Sequence, residues 1–214
     1  QTCALPICYR LTLERFQLGE NGGMIPSWCV FIGVAFSLVG AVSYVGAVLR
    51  GEAAPNRVTW VIWAVAPLLG FIIEIQEKVG LASVMTLVLG LVPIAVLLAS
   101  TRNQQAMWKV GPFDVICGAT SVFGLVIWLA SSQPMVGLIA QVAADSIAAL
   151  PTVRKAWSHP SSESSAVFYA GAANGGITLL TLKEWTTAGV LFPLAIFVAD
   201  LLIGLFITTR IGER

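Results

Sequence analysis

The sequence predicts an all-α membrane protein with seven transmembrane helices, arranged as two parallel three-helix repeats joined by a linker helix. Hydrophobic residues make up 57% of the 214 residues and charged residues only 11%, which is too little charge for the surface of a soluble domain. Seven apolar stretches approach the roughly 20 residues that a helix needs to cross a bilayer. The chemistry of the connecting loops also recurs at a regular spacing along the chain.

The predicted spans follow one another with short polar connections. They cover residues 27–49, 58–74, 79–100, 113–130, 134–153, 164–181 and 187–209. The corresponding units are a non-structural segment at 1–26, a first three-helix repeat at 27–102, the linker helix within 103–133 and a second repeat at 134–210. The connections are too short to fold as separate domains.

The first seven residues match the in-frame translation of a common sequencing-library adapter. We therefore interpret residues 1–7 as adapter-derived, take Met24 as the true start, and exclude this segment from reasoning about the fold. Residues 1–23 are expected to be poorly ordered.

The Lys and Arg residues lie mainly on one side of the predicted membrane. The connections after spans one, three and five and the tail after span seven carry eight of them, while the other connections carry only Lys78 and Lys183. Because basic loops stay on the cytoplasmic side, the N-terminus is predicted outside and the C-terminus inside. The basic ends of the odd-numbered spans therefore mark the predicted cytoplasmic face.

A weak internal repeat relates spans one to three to spans five to seven. Residues 44–50 end a helix on Arg50 and then turn through Pro55, and residues 149–155 end on Lys155 and turn through Pro160. Matched positions lie about 105 to 108 residues apart. Span four lets the second unit restart in the same orientation, which is typical of parallel repeats related by an axis along the membrane normal.

Residues 149–165 resemble the Pro-containing, basic and then Ser-rich stretch that joins the first two helices of a unit in the PQ-loop family. This family includes the SWEET sugar transporters and their half-size bacterial relatives, and the resemblance suggests a divergent bacterial-type member. It implies a plasma-membrane transporter, in bacteria the inner membrane, that moves a sugar or an amino-acid-like polar metabolite by alternating access. Its pathway forms within one chain, so a homo-oligomer is possible but not required.

Polar residues in the middle of apolar spans are the candidate site residues. Asp145, Asp200 and Asn174 fall at comparable depth in spans five, seven and six, and buried carboxyl groups are costly unless they have a role. Desolvation favours the protonated form of such carboxyl groups, so Asp145 and Asp200 are candidates for proton coupling as well as for substrate binding. The alternative for all three residues is hydrogen bonding between packed helices.

Aromatic residues and prolines complete the candidate set. Trp63 and Tyr169 can stack against a flat ligand face, whereas Trp60, near a helix start, is interpreted as an interfacial anchor. Pro67 and Pro151 are candidate hinges. No catalytic, metal-binding or cofactor motif appears, and the loops are too lightly basic to bind nucleic acid. We expect no enzyme. The main alternative to a transporter is a non-transporting membrane receptor or an interaction or assembly subunit.

Overall fold

The computed structural model of the chain describes residues 23–76, 82–103, 108–131, 133–182 and 185–213. The prediction that the N-terminal segment lacks structure falls almost entirely on residues 1–22, including the adapter-derived residues 1–7, and so lies outside the described residues. Lys78, Lys183 and Arg214 of the charge count also lie outside them.

The described residues form seven α-helices and no β-strand, so the prediction of an all-helical fold is confirmed. The helices are α1 (Val30–Arg50), α2 (Arg57–Gln76), α3 (Ala82–Arg102), α4 (Pro112–Ala130), α5 (Pro134–Ser158), α6 (Ala166–Thr181) and α7 (Thr187–Thr209). Short 3-10 turns precede α1, follow α5 and follow α7.

Local chemistry explains several of the helix ends. Helix α1 stops at Gly51, whose φ of 78° is a left-handed conformation that glycine adopts at little cost. At the start of α4 the Gly111 N–H donates a hydrogen bond to the carboxylate of Asp114 over 2.7 Å. Thr186 caps α7 by accepting a hydrogen bond from the Gly189 N–H.

Three stretches of described helix are long and apolar enough to cross a membrane, namely Ser27–Arg50, Pro112–Ala130 and Gly189–Thr209. Helices α2 and α3 are apolar over the shorter stretches Arg57–Leu69 and Thr86–Arg102. Outward faces expose large apolar side chains such as Val39 at 70% and Val42 at 75%, as expected of a surface that contacts lipid. The remaining predicted spans stay predictions.

The helices pack in an order that recurs in the first three and the last three. Helix α3 packs against both α1 and α2, and helix α7 packs against both α5 and α6. Between the two triplets, α1 packs on α6 and α2 packs on α5. Helix α4 lies outside the triplets, against α5 and α2. The third helix of each triplet therefore lies between the first two, and the first helix of each triplet contacts the second helix of the other.

The largest buried apolar cluster lies near the basic ends of the helices. Tyr44, Trp60 and Phe168 are at most 2% exposed, and they pack with small residues and with Ile203 and Val96. All six helices of the two triplets or their connections contribute to this cluster. It therefore holds the triplets together at one end.

Candidate functional site

A cavity of about 90 Å³ lies between the two triplets. Every helix of both triplets contributes residues to its lining, whereas no residue of α4 is among the described lining residues. The wall is largely apolar, with a few polar groups, as is typical of small-molecule sites. The residues that matter chemically are Ser37, Trp60, Trp63, Asp145, Phe168, Phe192 and Asp200, together with Pro67 and Pro93.

Two carboxyl groups are the only titratable groups in this lining. Asp145 comes from α5 and Asp200 from α7, both are half-buried, and they are close enough to interact electrostatically. No Lys, Arg or His from the described residues lines the cavity beside them. The cavity is therefore an acidic site without a fixed counter-charge.

Glycine gives the Asp200 carboxyl group its position. The Oδ2 atom of Asp200 lies so close to Gly171 on α6 that a Cβ at that residue would overlap it. Helices α6 and α7 approach closely again at Gly175, where an added Cβ would lie 2.9 Å from the carbonyl oxygen of Pro193. Small residues thus let α7 hold its carboxyl group against the backbone of α6.

Three further polar groups of the lining have no hydrogen-bond partner within the described part of the chain. They are the hydroxyl of Ser37 on α1, a residue 6% exposed, and the indole N–H groups of Trp60 and Trp63 on α2. Buried donors and acceptors are nearly always paired, with water or a ligand when no protein group is available. These three groups therefore indicate a polar occupant of the cavity.

Aromatic rings form the wall of the cavity on its basic side. Trp60 and Trp63 pack edge to face with ring centroids 5.6 Å apart, and Trp60 packs on Tyr44 at 5.0 Å. Phe168 lies 6.5 Å from Trp63 and 6.0 Å from Tyr44. Trp60 is 2% exposed, so its interpretation as an interfacial anchor is wrong. Its ring is covered by Tyr44 of α1 and, from the other triplet, by Phe168 of α6.

A buried polar cluster closes the bundle beyond these rings. We call it the basic-end cluster and define it as Tyr44, Lys155 and Glu163 with the carbonyl oxygens of Ala54 and Ser162. Lys155 Nζ lies 2.6 Å from Glu163 Oε1, with both side chains fully buried. The Lys155 ammonium also donates to both carbonyl oxygens, and Tyr44 donates to the second carboxylate oxygen of Glu163. The cluster ties α1 and its following connection to α5 and its following connection.

The charges in the basic-end cluster balance each other in a dry environment. Lys155 lies beyond the predicted span 134–153, yet its side chain is buried and its ammonium also lies 4.8 Å above the Trp108 ring. Burial lowers the pKa of Lys155, and the carboxylate of Glu163 opposes that shift. Each charge of the Lys155–Glu163 pair therefore offsets the free-energy cost of burying the other.

The structure brings some of the predicted site residues together and separates others. Trp63, Asp145 and Asp200 line one cavity, and the predicted hinge Pro67 lines it too. Pro151 is buried within α5 and is not part of this lining.

Asn174 and Tyr169, which the sequence places in the substrate site, are not among the lining residues either. Asn174 faces α1, where its side chain packs on Gly33. The hydroxyl of Tyr169 pairs with Thr208 at 2.8 Å, and its ring packs on Gly204 of α7. Both residues therefore lie at helix–helix contacts. The side-chain oxygen of Asn174 is buried there without a hydrogen-bond partner in the described part of the chain, so the predicted hydrogen bonding between helices stays a prediction.

Several lining residues, among them Ser37, are separated by the spacing that the sequence predicts for an internal repeat. Ser37 and Asp145, Trp60 and Phe168, and Trp63 and Gly171 are each about 108 residues apart, and Pro93 and Asp200 are about 107 apart. Applying the repeat spacing to Asp145 would have identified Ser37.

Comparisons with protein-family models, with curated proteins and with solved structures find no match to this chain.

Proposed function

We propose that this chain is a membrane transporter for a small polar solute, built from two parallel three-helix repeats of the PQ-loop type with α4 as the linker. The observation that carries the proposal is the cavity between the triplets, whose lining residues come in pairs separated by the repeat spacing. A twofold relation between repeats produces this pairing, because equivalent positions then face each other across a central site. The recurring packing order of the helices supports the same relation.

The proposed mechanism is alternating access, in which one triplet rocks against the other around the central cavity. The state described here is closed at the basic end by the basic-end cluster and by the Trp60 and Phe168 rings. Passage toward the basic end requires the Lys155–Glu163 pair to separate and the α1–α6 contact to open. Pro67 and Pro93 line the cavity and interrupt their helices, which gives bending points for this motion. By the charge distribution, we propose that this gate faces the cytoplasm.

The first experiment tests whether the two carboxyl groups couple transport to protons. In proteoliposomes, solute uptake by the wild type is expected to differ between about pH 5.5 and about pH 8. The Asp145→Asn variant is expected to lose this dependence, because the amide cannot exchange a proton. Uptake of candidate sugars and amino-acid-like solutes with and without a pH gradient measures both effects.

Asp114 provides a matched control for this experiment. It is a buried Asp outside the cavity, in the first turn of α4, where its carboxylate accepts a hydrogen bond from the Gly111 N–H. The side-chain oxygen of Asn can accept the same hydrogen bond. The Asp114→Asn variant should therefore keep the pH response of the wild type. An unchanged pH profile in Asp145→Asn would rule out proton coupling through this residue. Failure of every solute to cross in the wild type would favour a receptor or assembly subunit instead.

A further inference from the structure

The lining of the cavity indicates the chemical class of the solute. We propose that it binds a small primary amino alcohol in its ammonium form, with ethanolamine as the simplest example. This inference rests on the proposed function only for the transport of the solute, since binding can be measured without transport. Its basis is the combination of two carboxyl groups, an aromatic wall and three unpartnered polar groups in one cavity.

The charge of the site calls for a cation. Asp145 and Asp200 face the same cavity, and no basic side chain from the described residues lines it. Like charges in a poorly solvated site repel, so both carboxyl groups cannot stay ionised without compensation. One bound ammonium ion and one proton together neutralise the two carboxyl groups. With a neutral solute, the site would be neutral only if both carboxyl groups were protonated.

The walls favour an organic cation over a metal ion. Trp60, Trp63 and Phe168 line the cavity, and the faces of such rings attract ammonium groups. Hard metal ions need about six to eight oxygen ligands, and the described residues contain no cluster of three or more potential metal ligands. An alkyl ammonium ion matches both features of the lining, because its carbon atoms contact the rings while its head contacts the carboxylates.

The unpartnered groups add the hydroxyl to the proposed solute. The indole N–H groups of Trp60 and Trp63 can only donate, so they need an acceptor such as an alcohol oxygen, which has two lone pairs. The Ser37 hydroxyl is more than nine-tenths buried and lines the cavity without a partner, and it can accept from an ammonium group. A molecule with an ammonium group at one end and a hydroxyl at the other offers both kinds of partner.

The size of the cavity favours a small solute. An engineered cavity of about 150 Å³ in another protein accommodates benzene, and the cavity here is about 90 Å³. Ethanolamine is smaller than benzene, whereas a hexose is larger. The cavity volume therefore favours an amino alcohol over a sugar.

Equilibrium binding of radiolabelled ethanolamine to the purified full-length chain in detergent tests the inference. Wild-type protein is expected to bind ethanolamine in competition with ethylamine but not with ethylene glycol or glucose. Asp200→Asn should weaken binding by about tenfold or more, because hydrogen bonds to charged groups are the strong ones. The control Asp114→Asn should bind as the wild type does.

A second variant keeps the test independent of the carboxyl groups. Trp63→Phe retains an aromatic ring and removes only the N–H donor, so it should weaken ethanolamine binding and leave ethylamine binding unchanged. Equal effects on both amines would overturn the assigned role of the hydroxyl. Displacement of ethanolamine by ethylene glycol would overturn the requirement for a cation.

The binding experiment and the uptake experiment test the amino-alcohol site and the transporter proposal separately. Ethanolamine binding without uptake in proteoliposomes would support the amino-alcohol site and overturn the transporter proposal. Uptake of a neutral sugar together with no ethanolamine binding would overturn the amino-alcohol site and support the transporter proposal. Absence of both would overturn both.

Discussion

Replacement of Lys155 by Met is expected to destabilise the folded chain by about 3–5 kcal/mol, since it leaves the buried carboxylate of Glu163 without its counter-charge. The side chains of both residues are fully buried and their charged atoms lie 2.6 Å apart. Tyr44 still donates one hydrogen bond to Glu163, but a single neutral donor does not replace an ammonium ion. Equilibrium unfolding in mixed detergent micelles measures the difference in the free energy of unfolding.

The control for this substitution is an ion pair near the same end of the bundle. Arg50 and Glu52 lie 2.7 Å apart, but their side chains are 61% and 58% exposed. Arg50→Ala should therefore change the free energy of unfolding by at most about 1 kcal/mol. The double variant Lys155→Met with Glu163→Leu removes both buried charges and should recover most of the stability that Lys155→Met loses. A double variant as unstable as the single one would contradict this account.

Lys155→Met should also open the cavity toward the basic end if the basic-end cluster acts as a gate. A single cysteine at Ser37, in a chain whose own cysteines are replaced, reports access to the cavity. A membrane-impermeant thiol reagent applied from the basic side should label Ser37→Cys faster in the Lys155→Met background. A purely structural cluster would lower stability without changing the side from which this cysteine is reached.

Helix positions were largely predictable from the sequence because apolar length and end signals agree. The predicted span 187–209 coincides with α7, since Thr186 caps its start and an apolar run interrupted by Asp200 extends to its polar end. The helix that contains the predicted span 134–153 is longer than that span. Sequence reasoning ended it at the basic pair, but Lys155 is buried against Glu163 and α5 continues to Ser158. A buried ion pair cannot be recognised from one partner alone.

The candidate site was predictable only where a residue type is unusual by itself. Asp145 and Asp200 stand out because carboxyl groups are rare within apolar spans, and both line the cavity. Asn174 has the same kind of signal, but Gly33 on α1 brings a helix backbone against it. Trp60 looks like an interfacial anchor until α6 covers it. These outcomes depend on which helices are neighbours. The hydropathy of a single span gives no information about its neighbours.

The contact between α1 and α6 joins the two triplets, and Gly40 lies at its closest approach. A Cβ at Gly40 would lie 2.6 Å from the Cβ of Ala170 and 3.1 Å from the Cα of Val167. Gly40→Leu is therefore expected to cost about 3 kcal/mol of folding free energy, because the added side chain forces the helices apart. Because Leu also stabilises the helix relative to Gly by about 1 kcal/mol, the steric cost is larger than the net loss of folding free energy that is measured. Thermal unfolding in detergent measures the effect.

Val39 is the matched control, since it adjoins Gly40 on the same helix but is 70% exposed. Val39→Leu should change the free energy of unfolding by no more than about 0.5 kcal/mol. Gly40→Leu should also abolish uptake, because separating α1 from α6 distorts the cavity that both helices line through Ser37 and Phe168. Wild-type stability and uptake in Gly40→Leu would show that the triplets do not depend on this contact. The proposed rocking of one triplet against the other would then need a different interface.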